Sequence, residues 1–431
     1  MSEGAETSVH STLGQKFELP REARNSEAAD SAPSRASPAP PAHDKHALGE
    51  AAALGVLIPL PLNGMGVGYT CSSLARWMAD ERIEITVVTS RNELALPSVK
   101  VIEALPRWAR HVPYRWTRGY AGHRIERDFL SCFEQYRSRR LAASLWPDAS
   151  LGTIHELKRR GVTVFREQFN CHTATAKRIL DQAYGRLGVE PAHTITAETV
   201  EGERRVLDAV DYVFCPSPLV RSSLLENGIP ARKLLDTTYG WDPERFTGPQ
   251  RPLAPAEGIT ALFVGTICVR KGAHLLLDYW QQSGIKGRLV LAGELEPIIK
   301  EKYGHLFGRD DIVVLDYSKD VGALYKSADM FLFPSLEEGS PLVIYEACGC
   351  GLPTVTSPMG AGRIVRHDCE GFVIDPYDAA GWCATLRKLA ADAVLRRRMS
   401  NAAFERARLY SWEQVAAARR QLIFDVLRAT S

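Results

Sequence analysis

The chain has 431 residues, a formal net charge of +2 and 45% hydrophobic content. That is enough for two ordinary domains with a core each and an appendage. The charge balance excludes a global pull on nucleic acid, and no apolar run is long enough to span a bilayer. The N-terminus has no basic segment followed by an apolar one, so a cytoplasmic protein is expected.

Residues 1–48 are rich in Ser, Ala, Pro and Glu, include SAPSRASPAPPAH, and carry almost no large apolar side chains. Such a segment cannot bury enough surface to fold, and it reads as a disordered tail. From Gly55 short apolar runs alternate with helical patterns: GVLIPL, SLARWMAD, ITVVTS, then VTVFRE and YVFCPS. This alternation indicates β-α-β units and a doubly wound sheet over residues 49–246. After the first run, PLNGMGVGYTCSSLARW offers Gly64, Gly66 and Gly68 at a helix start, where backbone can approach a ligand closely. The spacing is Gly-x-Gly-x-Gly and matches a dinucleotide fingerprint only in part.

Between Arg107 and Arg140 nine arginines interleave with Trp108, Tyr114, Trp116, Tyr120, Phe129, Phe133 and Tyr136. Two readings are open here. The stretch suits an anionic membrane surface or a glycan, with rings at the interface and guanidinium groups at headgroup level. It equally suits a helical insertion with aromatics inward and arginines solvated.

A Pro-rich break, TGPQRPLAPAEG, runs from Thr247 to Gly258. The rhythm then restarts with ALFVGT, RLVLAG, DIVVLDY, MFLFPS, PTVTS and GFVID, a second doubly wound domain over 257–410. The class is α/β, with two Rossmann-like halves facing across a cleft, a favoured ligand position. In ALFVGTICVRKGAHLLLDYW a strand and a turn lead to a helix expected to open with Arg270, Lys271 and Gly272. Those two cations offer a fork and a point charge to a diphosphate.

Further on, FPSLEEGSPLVIYEACGCGLPTV spans Phe333 to Val355. It reads as a buried strand, a turn, and a helix with Pro341 as its first residue. A helix N-terminus presents unpaired N–H groups and partial positive charge to an anion. Glu338 flanks that end and Glu346 lies about two turns on. Carboxylates beside a phosphate site are good acceptors for sugar hydroxyls, which points to a phosphorylated or nucleotide sugar. The alternative is an acidic loop and a solvated helix glutamate. The closing segment, 411–431, is amphipathic and can pack on either half.

The nine cysteines are odd in number, lack a CxxC pair, and fall mostly in apolar runs, as do Cys215 and Cys268. Reduced buried thiols are expected, with neither disulfides nor a metal site. Cys348 and Cys350, one glycine apart, suit helix packing better than an oxidant response.

Taken together, GT-x(4)-KG after a strand, FPS-x-x-EGSP-x(4)-EA-x(3)-GLP, GVGY after the first strand and SWE near the C-terminus resemble the retaining glycosyltransferases of family 4, which have the GT-B fold. The resemblance covers about Gly55 to the C-terminus. It implies transfer of a sugar from a nucleotide donor to a glycan or lipid-linked acceptor, with retention at the anomeric carbon and no metal or other cofactor. Residue by residue, it implies that Arg270 and Lys271 bind the diphosphate and offset charge on the leaving group. The N–H groups of Leu342 and Val343 hold the distal phosphate, Glu338 the sugar and Glu346 the ribose; Gly66, Gly68 and Gly265 complete the donor site. Ser340-Pro341 stands where many relatives have Phe-Gly, so one N–H donor is missing from this loop. The histidine that faces the transferred sugar has its best counterpart in His172, with Glu167 or Arg166 as alternatives and a helix-capping role for His172 also open. The helix after SWE is expected to cross back to the first domain.

Both glutamates belong to one segment, unlike the flanking carboxylates of retaining glycosidases. A front-face substitution is therefore expected, in which the leaving phosphate takes the acceptor's proton, with Glu338 as a covalent nucleophile the alternative. A nucleotide-sugar epimerase on the same plan and a non-catalytic binding scaffold held through 107–140 are the competing readings.

Overall fold

The computed structural model describes residues 51–106, 112, 114–136, 139–147, 149–247, 257–316 and 321–429. The tail 1–48 and most of the Pro-rich break lie outside the described residues. In the first half the strands are β1 Ala52–Ile58, β2 Ile83–Thr89, β3 Lys100–Glu103, β4 Arg140–Leu145, β5 Thr163–Glu167, β6 Tyr212–Cys215 and β7 Leu234–Asp236. They form one parallel sheet in the order β3-β2-β1-β4-β5-β6-β7. Every residue of β1 is buried, as a central strand covered on both faces requires. The helices here are α1 Gly66–Met78, α2 Tyr114–Cys132, α3 Leu151–Arg159, α4 Thr173–Arg186, α5 Ala197–Ala209 and α6 Pro218–Glu226.

The second half repeats the plan. Strands β8 Ile259–Val264, β9 Gly287–Ala292, β10 Ile312–Leu315, β11 Met330–Phe333, β12 Thr354–Thr356 and β13 Gly371–Val373 pair in the order β10-β9-β8-β11-β12-β13, again all parallel. Around them lie α7 Ala273–Ser283, α8 Pro297–Tyr303, α9 Val321–Lys326, α10 Leu342–Gly349, α11 Ala379–Ala391, α12 Ala393–Ala407 and α13 Trp412–Ala429. In each sheet the strand order reverses once, between β1 and β4 and between β8 and β11. The connections diverge at those points and leave a crevice at the carboxyl ends of the strands, where open α/β sheets take ligands. The two doubly wound parallel sheets expected from the sequence are both present.

The last helix returns to the first half. Arg420 donates to the Met78 carbonyl at 3.1 Å and pairs with Asp80 at 3.3 Å, while Trp412 Nε1 donates to Tyr69 Oη at 2.9 Å. Helix α4 makes the opposite crossing: Leu180, Ala183 and Tyr184 are buried in the core of the second sheet, and Tyr184 Oη donates to Glu296 at 2.6 Å.

The arginine-aromatic stretch divides. Phe129 and Phe133 pack edge to face at 5.3 Å beneath β1, and Tyr136 is buried with its hydroxyl donating to Glu84 at 2.7 Å. Burying each phenyl ring stabilises by roughly 1.5–3 kcal/mol, more than an interfacial position offers a ring that has a core within reach. The expectation that these three rings enter a membrane surface is therefore corrected. Trp116, 71% exposed, keeps the outward character, whereas Trp108 and the side chains of Tyr114 and Tyr120 lie outside the described residues. Among the described residues no helix is long and apolar enough to cross a membrane.

Candidate functional site

The loops that follow β8 and β11 meet at the second sheet's reversal point. Arg270 and Lys271 sit in the turn, and α7 opens one residue after Gly272, so the expected helix start moves to Ala273. Gly272 has φ +69°, and a Cβ there would lie 2.1 Å from the Pro334 carbonyl oxygen. Only glycine lets the β11 loop press this close, and that contact holds the two cations out of the helix. The Leu336 N–H donates to the Arg270 carbonyl at 2.9 Å and stitches the loops together.

Lys271 Nζ donates to Glu338 in a close contact, and it stands 5.1 Å from the Phe333 ring centroid. Its stem passes Gly265, whose φ is +132° and whose Cβ would come 3.3 Å from Lys271 Cδ. Ser335 Oγ also donates to Glu338, at 3.1 Å. Arg270 Nη1 donates to the Glu337 carbonyl at 3.2 Å and to its carboxylate at 3.3 Å, and lies 3.7 Å from Glu338. Two partly exposed cations and two buried carboxylates therefore neutralise one another in one cluster. Burial pushes the Glu338 carboxyl up, but Lys271 and Arg270 outweigh it and hold it below the usual carboxylate range. Glu337 goes the other way: burial raises it, and neighbouring Glu338 adds to the rise against Arg270. From sequence Glu337 reads as a turn residue only.

Helix α10 begins at Leu342, and Pro341 is its N-cap in extended conformation with ψ 124°. The expected position of Pro341 inside the helix is corrected by one residue. Its missing N–H therefore falls outside the helix, and the first-turn amides of Leu342 and Val343 have no intrahelical acceptor to engage. Glu346 accepts from Tyr325 Oη at 3.0 Å. Burial pushes its carboxyl above the usual range, against the opposing pull of Arg245. Arg245 in turn stacks 4.1 Å over the Tyr69 ring of α1. Neither Tyr325 nor Arg245 belongs to a motif, so spacing gave no signal for them.

On the first half, Gly66 opens α1 with φ +50°, and a Cβ there would meet nothing within 4 Å. Gly68 differs, since a Cβ there would lie 2.6 Å from the Pro61 carbonyl oxygen. Its lack of a side chain is required by packing of the helix against the Pro61 backbone. His172 caps α4, with Nδ1 accepting from the Ala174 N–H at 3.1 Å. Burial lowers its pKa. Glu167 is fully buried in a close ion pair with Arg419 of α13 and accepts from Tyr239 Oη at 2.9 Å; Arg166 pairs with Glu203 at 3.3 Å.

The halves touch at this point. A Cβ on Gly339 would sit 1.8 Å from the Phe169 carbonyl oxygen, and Cys171 Sγ donates to Glu337 at 3.4 Å. The structure thus brings Arg270, Lys271, Glu338 and Gly265 together, sets the α10 N-terminus on the same loop, and places the residues before His172 against that loop. Gly68 and Glu167 are committed to packing and ion pairing. Among the described residues no group of three or more His, Cys, Asp or Glu side chains is arranged to hold a metal ion.

Residues 258–392 match the family model described as glycosyl transferases group 1, and residues 65–235 match the glycosyl transferase 4-like domain. The D-inositol 3-phosphate glycosyltransferase of Thermobispora bispora is 26% identical over 84% of this chain and 90% of its own. That of Xylanimonas cellulosilytica is 30% identical over 38% of this chain, and the match spans only 42% of the relative's length. Among solved structures, sucrose-phosphate synthase from Thermosynechococcus elongatus superposes with a TM-score of 0.66 at 18% identity, over 88% of this chain and 100% of that one. Anabaena HepE, solved with UDP and glucose, gives 0.58 at 14% identity, over 88% and 100%.

Proposed function

We propose, for a chain that belongs to the GT-B glycosyltransferases of family 4, that it moves a sugar from a nucleotide-sugar donor to a glycan or lipid-linked acceptor with retention of configuration. The observation that carries this reading is the mutually neutralised cluster of Arg270, Lys271, Glu337 and Glu338 beside the α10 N-terminus.

A diphosphate entering here competes with the two carboxylates for Arg270 and Lys271. Once Lys271 turns to phosphate, Glu338 is freed to accept from sugar hydroxyls, so donor charge and sugar are recognised by one exchange of partners. Leu342 and Val343 amides hold the distal phosphate, Glu346 the ribose, and Gly66 leaves space for the diphosphate from the opposite half. As the bond to the leaving phosphate lengthens, negative charge grows on the oxygen that Arg270 and Lys271 face. Charge stabilisation of this kind contributes about 2.7–4 kcal/mol per donor group. In a metal-independent front-face substitution the same phosphate oxygen takes the proton of the attacking hydroxyl. An acceptor carrying an apolar part would be met at the inner face of a membrane, and Met65, next to Gly66 in the chain, is 49% exposed there.

Thermal shift with UDP, GDP and ADP sugars tests the donor. One nucleotide at 100 times its Kd should stabilise by about 2.7 kcal/mol, and Lys271→Ala should lower turnover by roughly 10²–10³-fold. The reading fails if no nucleotide sugar shifts the wild type, or if the product has inverted anomeric configuration.

A further inference from the structure

Helix α10 starts at a proline N-cap that makes no side-chain hydrogen bond, where a Ser, Thr or Asp would take one of the amides that a phosphate needs. The helix start is fastened by another route. Tyr345, fully buried on the same helix, has its hydroxyl 2.8 Å from Ser340 Oγ and 2.9 Å from Thr238 Oγ1, and accepts from the Arg363 N–H at 3.3 Å. Separate segments thus meet on one oxygen. Ser340 immediately precedes Pro341, Thr238 lies in the chain that leaves the first sheet after β7, and Arg363 lies between β12 and β13.

The backbone is shaped for this meeting. Gly362 has φ +59°, and a Cβ there would come 3.0 Å from Tyr345 Oη and 3.4 Å from Ser340 Oγ, so glycine lets its loop close on the pair. Arg363 then reaches the first half, where Nε donates to the Thr237 carbonyl at 2.7 Å and Nη2 to Asp236 at 2.6 Å. Burial raises the Tyr345 pKa, so the phenol keeps its proton and can donate. One run of donors satisfies the whole set: Ser340 to Tyr345, Tyr345 to Thr238, and Thr238 to the Tyr239 carbonyl at 3.2 Å.

We infer that Tyr345 is a positioning residue for the donor diphosphate: through Ser340 it sets the first-turn amides of α10, and through Thr238 and Arg363 it ties that setting to the segment joining the two halves. This rests on the nucleotide-donor reading above. It also gives Ser340-Pro341 a role. Pro341 cannot donate, so the loop offers fewer amides, and the Ser340–Tyr345 contact fixes the remaining ones without consuming any of them.

The test is calorimetric titration of the full chain with UMP and UDP, GMP and GDP, and AMP and ADP. The wild type should bind one diphosphate more tightly than its monophosphate. Tyr345→Phe keeps the ring and removes the hydroxyl; it should weaken that diphosphate about tenfold, as loss of one charge-assisted hydrogen bond would, and leave the monophosphate unchanged. A residue that only held the fold together would lower both alike. Tyr345→Phe combined with Ser340→Ala should lose no more than either change alone, because the two side chains form one contact. Should Tyr345→Phe not fold, Ser340→Ala by itself should shift the ratio of the two affinities in the same direction. Equal losses for mono- and diphosphate, an unchanged ratio in a folded variant, or additive losses would each overturn the inference. A wild type that binds none of these nucleotides overturns the donor reading, and the inference with it.

Discussion

On the second-sheet side of the cleft the charged groups come from two short loops, and each cation lies against a carboxylate close in sequence to a glycine or proline that shapes its turn. On the first-sheet side they come from β5, α4, α5 and α13, and Glu167 finds its cation in Arg419, 252 positions away. The first arrangement is a motif that carries its own geometry. The second exists only after the last helix has crossed back, so it depends on the stability of the whole fold. One side can therefore tolerate global change that the other cannot.

Breaking the long-range pair should have the largest effect. Arg419→Ala leaves Glu167 buried without a counter-charge and should cost about 3–5 kcal/mol in urea unfolding, whereas Glu167→Gln combined with Arg419→Met should recover most of it. A cost under about 1 kcal/mol for the single change would show that Glu167 relaxes to water, since exposed pairs are worth that little.

Two buried histidines sharpen the contrast. Burial alone lowers His274 of α7 to about 4, while His172 is lowered by burial against the opposing charge of Glu203. Between pH 6.5 and 4 the unfolded chain binds the proton that folded His274 refuses, so its contribution is present above about 6.5 and lost as pH falls. That loss should reach on the order of 3 kcal/mol at pH 4. The wild-type curve minus that of His274→Gln should show this slope, and the corresponding His172→Gln difference should be shallower. Parallel curves for wild type and His274→Gln would refute the expectation.

The smallest effect is expected where the two sides meet. Glu337→Gln keeps the shape but removes one of the carboxylates that compete with the diphosphate for Arg270, and should tighten nucleotide binding by up to about tenfold, near 1.4 kcal/mol. Unchanged affinity would mean that Glu338 alone competes for the cations.

Much of the fold was legible because apolar runs and helical patterns alternate over whole domains, and the period survives local irregularity. The placement of Arg270, Lys271, Glu338, Leu342 and Val343 was legible for a related reason: each lies within about ten residues of the end of β8 or β11, so chain order nearly determines position. The same reasoning misplaced α7 and Pro341 by a residue or more, because Gly272 takes a left-handed φ against the distant Pro334 carbonyl and Pro341 adopts the extended ψ of an N-cap. It gave no sign that the Pro61 carbonyl fills the space a side chain at Gly68 would need, and it read Phe129, Phe133 and Tyr136 without knowing that β1 and β2 lie above them. Glu337, Glu203, Arg245 and Tyr325 carry no motif.

By itself the sequence determined the two doubly wound halves, the cation turn and the carboxylate-flanked helix start, because these depend on neighbours along the chain. Only the tertiary structure decided which carboxylate holds which cation, that Glu167 belongs to Arg419, and that Cys171 of the first half meets Glu337 of the second. Those outcomes depend on which surfaces meet and on which polar groups burial leaves without water.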